Sequence, residues 1–442
     1  MSRVATAGLG SPRGPEHAGA RLPEEYVPRA LRAFWADGLF ASAQDAFILA
    51  YLPLLAAALG ASAVQIGLLV GGQSLGALVA FYPGAMAAQR TSSRRWMVVF
   101  YAGILGRFAL LLTALSVAFA GGQVALYLVI TLMTVRAFMS NFVAPAWTSL
   151  AADFIPPGIR ARYLASRNFA INLSLLTITP LGGLLLDRMG FPGGYVAALL
   201  TSFALGMCAT IAYARIPEPP VIQRPKRSIR PHPGVVLRDS RFRMFLLATF
   251  ALQFATMIAG PFFNVYLKQN LGGSNFDVGW LSTASAAAGI GGQLYFGDLM
   301  ARKGGLWVTR LSLVVLPALP LLWAVIDRPW MVLAPNILGG LMWSAFNLAN
   351  FQLLLEFTRD EDREEYVAVF QTCVGVALLV APFLGGVMVE HLGYRAMFVF
   401  SGTGRLVSTA LFFFAVGRMR HRAPASVVTE LELEAAAESA AQ

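Results

Sequence analysis

Apolar residues in this chain arrive in runs of about 20, the length that crosses a bilayer core, and each run is closed by charges or by clusters of Gly and Pro. Twelve runs are predicted as helical spans, near 37–58, 64–86, 96–118, 123–149, 166–187, 193–214, 243–266, 277–300, 307–326, 329–354, 365–389 and 394–417. The longest polar interruption, from Ile216 to Arg243, holds six prolines and seven Lys or Arg, and it divides the runs six and six. The predicted fold class is therefore an all-α polytopic membrane protein of twelve helices in two six-helix halves. Its parts are an N-terminal tail at 1–36, a first half at 37–215, a basic central loop at 216–242, a second half at 243–417 and a C-terminal tail at 418–442.

Composition agrees with this pattern. The 442 residues are 57% hydrophobic and 13% charged, about half the charge of a soluble domain, which excludes the soluble class. The net charge of +11 comes from 31 Arg and 3 Lys against 23 acids, but the basic residues are scattered between apolar runs instead of forming one face, so nucleic acid is not an expected partner. Cys208 and Cys373 sit singly inside runs and are read as small packing residues, not as a disulfide or zinc pair. His17, His232, His391 and His421 show no ligand spacing, so no metal or other cofactor is expected. Residues 1–35 lack the apolar core of a cleavable leader.

Lys and Arg favour cytoplasmic loops. With residues at span edges counted in the adjoining loop, the tails and even-numbered loops carry 27 (Arg167, Arg243 and Arg310 among them), the odd-numbered loops carry 4 (Arg188, Lys268, Arg328, Arg395) and the span interiors carry 3. Both termini are expected in the cytoplasm. The excess of Arg over Lys points to a GC-rich bacterial source and so to a bacterial inner membrane.

The halves repeat one another. Leu59-Gly60-Ala61-Ser62 with Ile66-Gly67 returns as Leu271-Gly272-Gly273-Ser274 with Val278-Gly279. Asp153, Arg160, Tyr163, Gly182, Gly183, Asp187 and Gly190 return 203 residues later as Glu356, Arg363, Tyr366, Gly385, Gly386, Glu390 and Gly393. With six plus six spans, a basic central loop and an acid-x6-Arg element in both halves, residues 37–417 resemble the major facilitator superfamily. The loop Gly297 to Gly304 matches the family's signature, except that Ala301 and its counterpart Ala88 stand where the family has Asp. The Pro180 and Pro382 kinks are degenerate, so antiport is not inferred from them.

The resemblance implies a secondary transporter that rocks two halves around a central small-molecule site walled by spans one, four, seven and ten. Polar side chains inside spans are costly to bury, which makes them site candidates. Gln253, Thr256 and Asn264 fall on one face of span seven, Asn336, Trp343, Asn347 and Asn350 on one face of span ten, and Arg136, Ser140 and Trp147 on one face of span four. Gln44 and Tyr51 complete the set from span one. Asp45 and Arg136 are the candidate coupling pair, for a proton or another ion. Arg107 and Arg405 are read as structural, and Asp37 beside Trp35 as an interfacial or helix-start residue. The segment from Glu24 to Trp35 is read as lying along the inner leaflet or as a solvated tail. Basic Arg90, Arg94, Arg95, Arg160, Arg162 and Arg302, with Asp153, Glu356, Asp360, Glu361, Asp362 and Arg363, are the candidate cytoplasmic gate.

A permissive, greasy cavity favours export of amphipathic compounds over nutrient uptake. Two other classes compete with transport: a membrane sensor, whose tails would be short for signalling, and an intramembrane enzyme, which lacks gathered acids or a His base. The chain is expected to be a monomer in the lipid bilayer and not an enzyme.

Overall fold

A computed structural model describes residues 23–218, 233–358 and 363–417, and among them every regular element is a helix. The first half contains Val27–Ala46 with Leu52–Ala58, then Ala63–Arg90, Arg94–Phe119, Gly122–Phe142 with Ala144–Phe154, Pro157–Met189 and Gly193–Ala214. The second half contains Ser240–Ala259 with Phe262–Gln269, then Asn275–Lys303, Gly305–Val315 with Ala318–Val325, Leu333–Phe357 and Arg363–Gly417. That last run is two successive helices meeting at Gly393, where φ is 80°. Nine runs among the described residues are long and apolar enough to cross a membrane, the run through Gly393 counting once. The first expected span fails that measure because its helix breaks after Ala46 and the 20 residues before the break carry Arg29, Arg32, Asp37 and Asp45, and the eighth because it is rich in Gly, Ala, Ser and Thr.

Local chemistry explains the repeats. Ser62 and Ser274 each cap the helix that follows, in reciprocal boxes with Gln65 and Asp277, which satisfies backbone N–H groups that have no partner in hydrocarbon. Gly190 and Gly393 both adopt positive φ at the turn into the last helix of each half, a conformation costly for other residues. Proline opens the second segment of broken spans at Pro53 and Pro145, where its missing N–H is least needed.

Buried side chains gather in three cores. One is shared by both halves, joining Tyr51, Leu55 and Ile66 to Phe262, Val278 and Ala381 at the end bearing the odd-numbered loops. The other two lie toward the opposite end and each belongs to one half, around Phe34, Leu150 and Phe154 in the first and around Phe245, Phe346 and Tyr366 in the second. The halves are thus welded at one end and packed separately at the other.

Several expectations are corrected. The first helix starts at Val27, ten residues before the expected span, so Glu24 to Trp35 is mostly its opening turns, and Ala30 and Phe34 are buried. Asp37, the eleventh residue of that helix, is interior and 7% exposed, not interfacial. Arg167, counted with the basic loops, is also interior at 8% exposed. Cys208 is exposed on its helix, not packed.

Candidate functional site

The first helix stops just beyond Asp45, whose carbonyl accepts from Leu49 N at 2.9 Å, before the chain resumes at Leu52. Breaks of this kind free backbone groups at membrane depth, which must then be satisfied inside the protein. One freed carbonyl, that of Ala50, accepts from Asn264 Nδ2 of the opposite half at 3.2 Å. A chain of polar side chains runs inward from this break. Arg136 Nη2 lies 2.5 Å from Asp45 Oδ1, and Gln44 Nε2 donates to the same oxygen at 3.1 Å. Gln44 Oε1 accepts from Arg107 Nε at 3.2 Å, and Arg107 Nη1 donates to Thr210 Oγ1. The wall behind is a glycine, because a Cβ at Gly206 would collide with the Gln44 amide and stand 2.9 Å from Arg107 Cδ. Spans one, three, four and six are thereby joined by one polar network. The Asp45 side chain keeps 36% exposure and that of Arg136 14%.

A second ion pair lies toward the separately packed end. Arg167 Nη2 stands 3.5 Å from Asp37 Oδ2. Its guanidinium lies 4.1 Å from the Phe34 ring and 5.5 Å from that of Trp147, an arrangement of cation over aromatic faces. Arg405, by contrast, is 1% exposed and bonds a backbone carbonyl, Leu316 O, at 3.1 Å.

At the welded end the repeat produces two matching contacts between halves. Asp187, at the end of span five, accepts from the N–H groups of Asn275 at 3.0 Å and Phe276 at 2.8 Å, the first residues of span eight. Glu390, its repeat counterpart, accepts from Val64 N at 3.0 Å in the first turn of span two. Each carboxylate sits on a helix N-terminus of the other half, where the macrodipole favours negative charge. Neutralising both, with Asp187→Asn and Glu390→Gln, is expected to weaken closure of this end by about 2 kcal/mol, roughly thirtyfold in population. The check is a thiol at the exposed Ser140 position, labelled by an impermeant reagent applied at the welded end. Labelling should accelerate in the double variant, and an unchanged rate would show that these acids do not hold the end shut.

Comparison with known proteins decides the family. The model of the Major Facilitator Superfamily matches residues 37–251 and 245–438. The chain belongs to the Major Facilitator Superfamily. A curated relative, the multi-drug resistance efflux pump PmrA homolog of Lactococcus lactis subsp. lactis (strain IL1403), is 24% identical over 375 residues, covering 83% of this chain and 89% of that protein. Among solved structures, the nucleoside transporter NupG matches with a TM-score of 0.72 at 14% identity, over 89% of this chain and 100% of that one. A bacterial homolog of the human lysosomal transporter Spinster, in an inward-facing and unoccupied conformation, matches with a TM-score of 0.70 at 16% identity, over 89% and 98%. These structural likenesses establish the fold. The chain is a multi-pass membrane transporter, not an enzyme, and family membership implies a small-molecule substrate.

Within this major facilitator fold the predicted site residues separate into groups. Asp45, Gln44 and Arg136 are in one network, and Ser140 is exposed one turn beyond Arg136. Tyr51 is fully buried in the weld, where its hydroxyl donates to Thr179 O at 2.5 Å, and Asn264 is spent on Ala50 there too. Trp147 packs on Phe34, with ring centroids 5.1 Å apart. In span seven Gln253 is half-buried, while Thr256 is 6% exposed with no partner for its hydroxyl among the described residues. In span ten Asn347 is exposed, and Asn336, Trp343 and Asn350 are half-buried.

Four of the gate candidates, Arg94, Asp153, Arg160 and Glu356, are occupied inside their own half. Arg94 pairs with Asp153 at 2.7 Å and donates to Ser149 Oγ at 2.5 Å. Glu218, which sequence reasoning missed, caps the start of span three by accepting from Ser93 Oγ, Arg94 N and Arg95 N. Arg160 Nη2 donates to the carbonyls of Ala152 and Ile155, both at 3.0 Å, and Glu356 accepts from Gln352. Arg90, Arg162 and Arg302 are exposed, without an ion pair among the described residues. Asp360, Glu361, Asp362 and the side chain of Arg363 lie outside the described residues.

Proposed function

We propose that this transporter exports amphipathic compounds in exchange for protons, with Asp45 and Arg136 as the coupling site. The observation that carries the reading is their direct, partly exposed ion pair beside the helix break. The contacts from Arg136 and Gln44 both fall on Oδ1 of Asp45, so a proton can add at Oδ2, and doing so removes the charge that holds Arg136 and weakens both contacts. Protonation therefore frees Arg136 and Gln44 to rearrange, and deprotonation restores the pair. A substrate or rocking motion that biases one arrangement is then linked to proton uptake or release.

Export is favoured by the composition of the spans, rich in Phe, Leu, Met and Ala, which suits greasy solutes held without specific hydrogen bonds. The efflux-pump description of the Lactococcus relative supports the same direction. Because most of the basic residues lie in or beside the tails and even-numbered loops, we read those segments as cytoplasmic. The welded end is then extracellular and the structure is inward-facing, as a substrate-loading state of an exporter should be.

The test of function uses inverted membrane vesicles carrying the overexpressed chain and a panel of cationic, neutral and anionic amphipathic dyes. An imposed inside-acid gradient should drive at least one dye into the vesicles, and a protonophore should stop it. Gradient-driven movement of polar nutrients alone would favour the uptake reading. Orientation is checked separately in whole cells. A cysteine at the exposed Ala120 should react with an impermeant thiol reagent from outside, whereas one at Arg302 should not, and the reverse pattern would invert the topology.

A further inference from the structure

Between the opening turns of the first helix and the end of the sixth span lies a cleft of about 360 Å³, lined by Arg29, Arg32, Ala33, Ala36, Ala212 and Arg215. Its floor is three alanines and its rim three exposed arginines. None of the three has a carboxylate within ion-pair distance among the described residues. Three like charges converging on a small-residue floor repel one another until an anion sits between them.

Two further features say where this cleft lies. Arg215 ends its span, and the next carbonyl, Ile216 O, accepts from Arg95 Nη1 at 3.0 Å. The Arg95 guanidinium in turn lies 5.3 Å from the ring of Trp96, which is 55% exposed. Exposed tryptophan stacked with arginine marks the headgroup level. Leading down from Arg215, the sixth span shows Ile211, Cys208, Ala204 and Leu200 as one exposed stripe at spacings of four, three, four and four. That stripe is apolar throughout until it reaches the arginine.

We infer that this cleft binds the headgroup of an anionic phospholipid of the cytoplasmic leaflet, with an acyl chain lying along the Leu200 to Ile211 stripe. Guanidinium groups bind phosphate oxygens bidentately, and a charged headgroup satisfies all three at once. The bound lipid would tie the opening turns of the first helix, which also carries Asp37 and Asp45, to the sixth span. The inference rests on the reading that the basic loops face the cytoplasm. The thiol-labelling pattern at Ala120 and Arg302 tests that reading separately, so the two can fail independently.

Full-length protein purified in mild detergent would be titrated with phosphatidylglycerol, phosphatidylcholine or inorganic phosphate, and bound lipid counted by native mass spectrometry. Phosphatidylglycerol should bind about tenfold more tightly than phosphatidylcholine. The triple variant Arg29→Gln, Arg32→Gln, Arg215→Gln should bring the two lipids within about twofold of each other, while melting in phosphatidylcholine like the parent. A second measurement leaves the arginines intact: a fluorophore on Cys208, in a Cys373→Ser background, should be quenched by phosphatidylglycerol with brominated chains more than by the equivalent phosphatidylcholine. Equal binding of the two lipids, a preference that survives in the triple variant, or equal quenching would overturn the site. Displacement of phosphatidylglycerol by inorganic phosphate at similar concentration would reassign it to a soluble anion.

Discussion

Replacing Gly279 with valine is expected to abolish transport and expose the cavity at the welded end. A Cβ there would collide with Tyr51 Oη and stand 2.8 Å from Pro180 Cα and 2.9 Å from Thr179 O. Gly183 meets the same contact from the other side, where a Cβ would lie 2.7 Å from the Asn275 carbonyl carbon. Most of these neighbours are backbone and cannot swing aside. Overpacking of this kind costs about 1–3 kcal/mol, but here the crowded atoms belong to different halves. Separation of the halves relieves the clash without unfolding either, so the cost falls on the state in which this end is welded. The thiol at Ser140 should then label from the welded end about ten to a hundred times faster, with little change in melting temperature. Gly291, on the same helix with open space around it, is the control, and Gly291→Val should behave like the parent. Retained transport in Gly279→Val would mean that this contact does not have to close.

The second large effect is expected from Asp45→Asn. An asparagine keeps one oxygen to accept from Arg136 and differs from the carboxylate chiefly in losing charge and the proton site. The pair is partly exposed, so the stability at stake is only about 1 kcal/mol. Gradient-driven accumulation should nevertheless fall at least about a hundredfold, while dye binding and dye-for-dye exchange persist. Weakened binding would instead make the pair a substrate clamp. A lower melting temperature with transport intact would make it a strut between spans one and four.

Much of the fold was legible because hydrocarbon tolerates few arrangements. Charge is expelled from it, so the isolated Asp45 and Arg136 stood out inside apolar runs, although their depths along the two helices left direct contact undecided. The 203-residue repeat marked Asp187 and Glu390 as equivalent, and each proves to cap a helix of the other half. What was not legible follows from ambiguity of a different sort. Arg29 and Arg32 made the opening of the first helix look like a polar tail, and that hid Asp37 and its partner Arg167 within the interior. Tyr51 read as a cavity residue because an aromatic hydroxyl in an apolar run can face water or a backbone carbonyl equally well, and only the tertiary contact with Thr179 decides. Glu218 lay beside a proline-rich loop, where nothing in the sequence points it at the start of span three.

The most direct test of proton-coupled export is the pH inside liposomes containing only the purified chain and a pH-sensitive dye, with an outward gradient of a transported compound as the sole driving force. The lumen should acidify as the compound leaves, because protons enter in exchange, and should not acidify with Asp45→Asn although exchange continues. Movement of the compound down its gradient with no change in lumenal pH would contradict proton-coupled export.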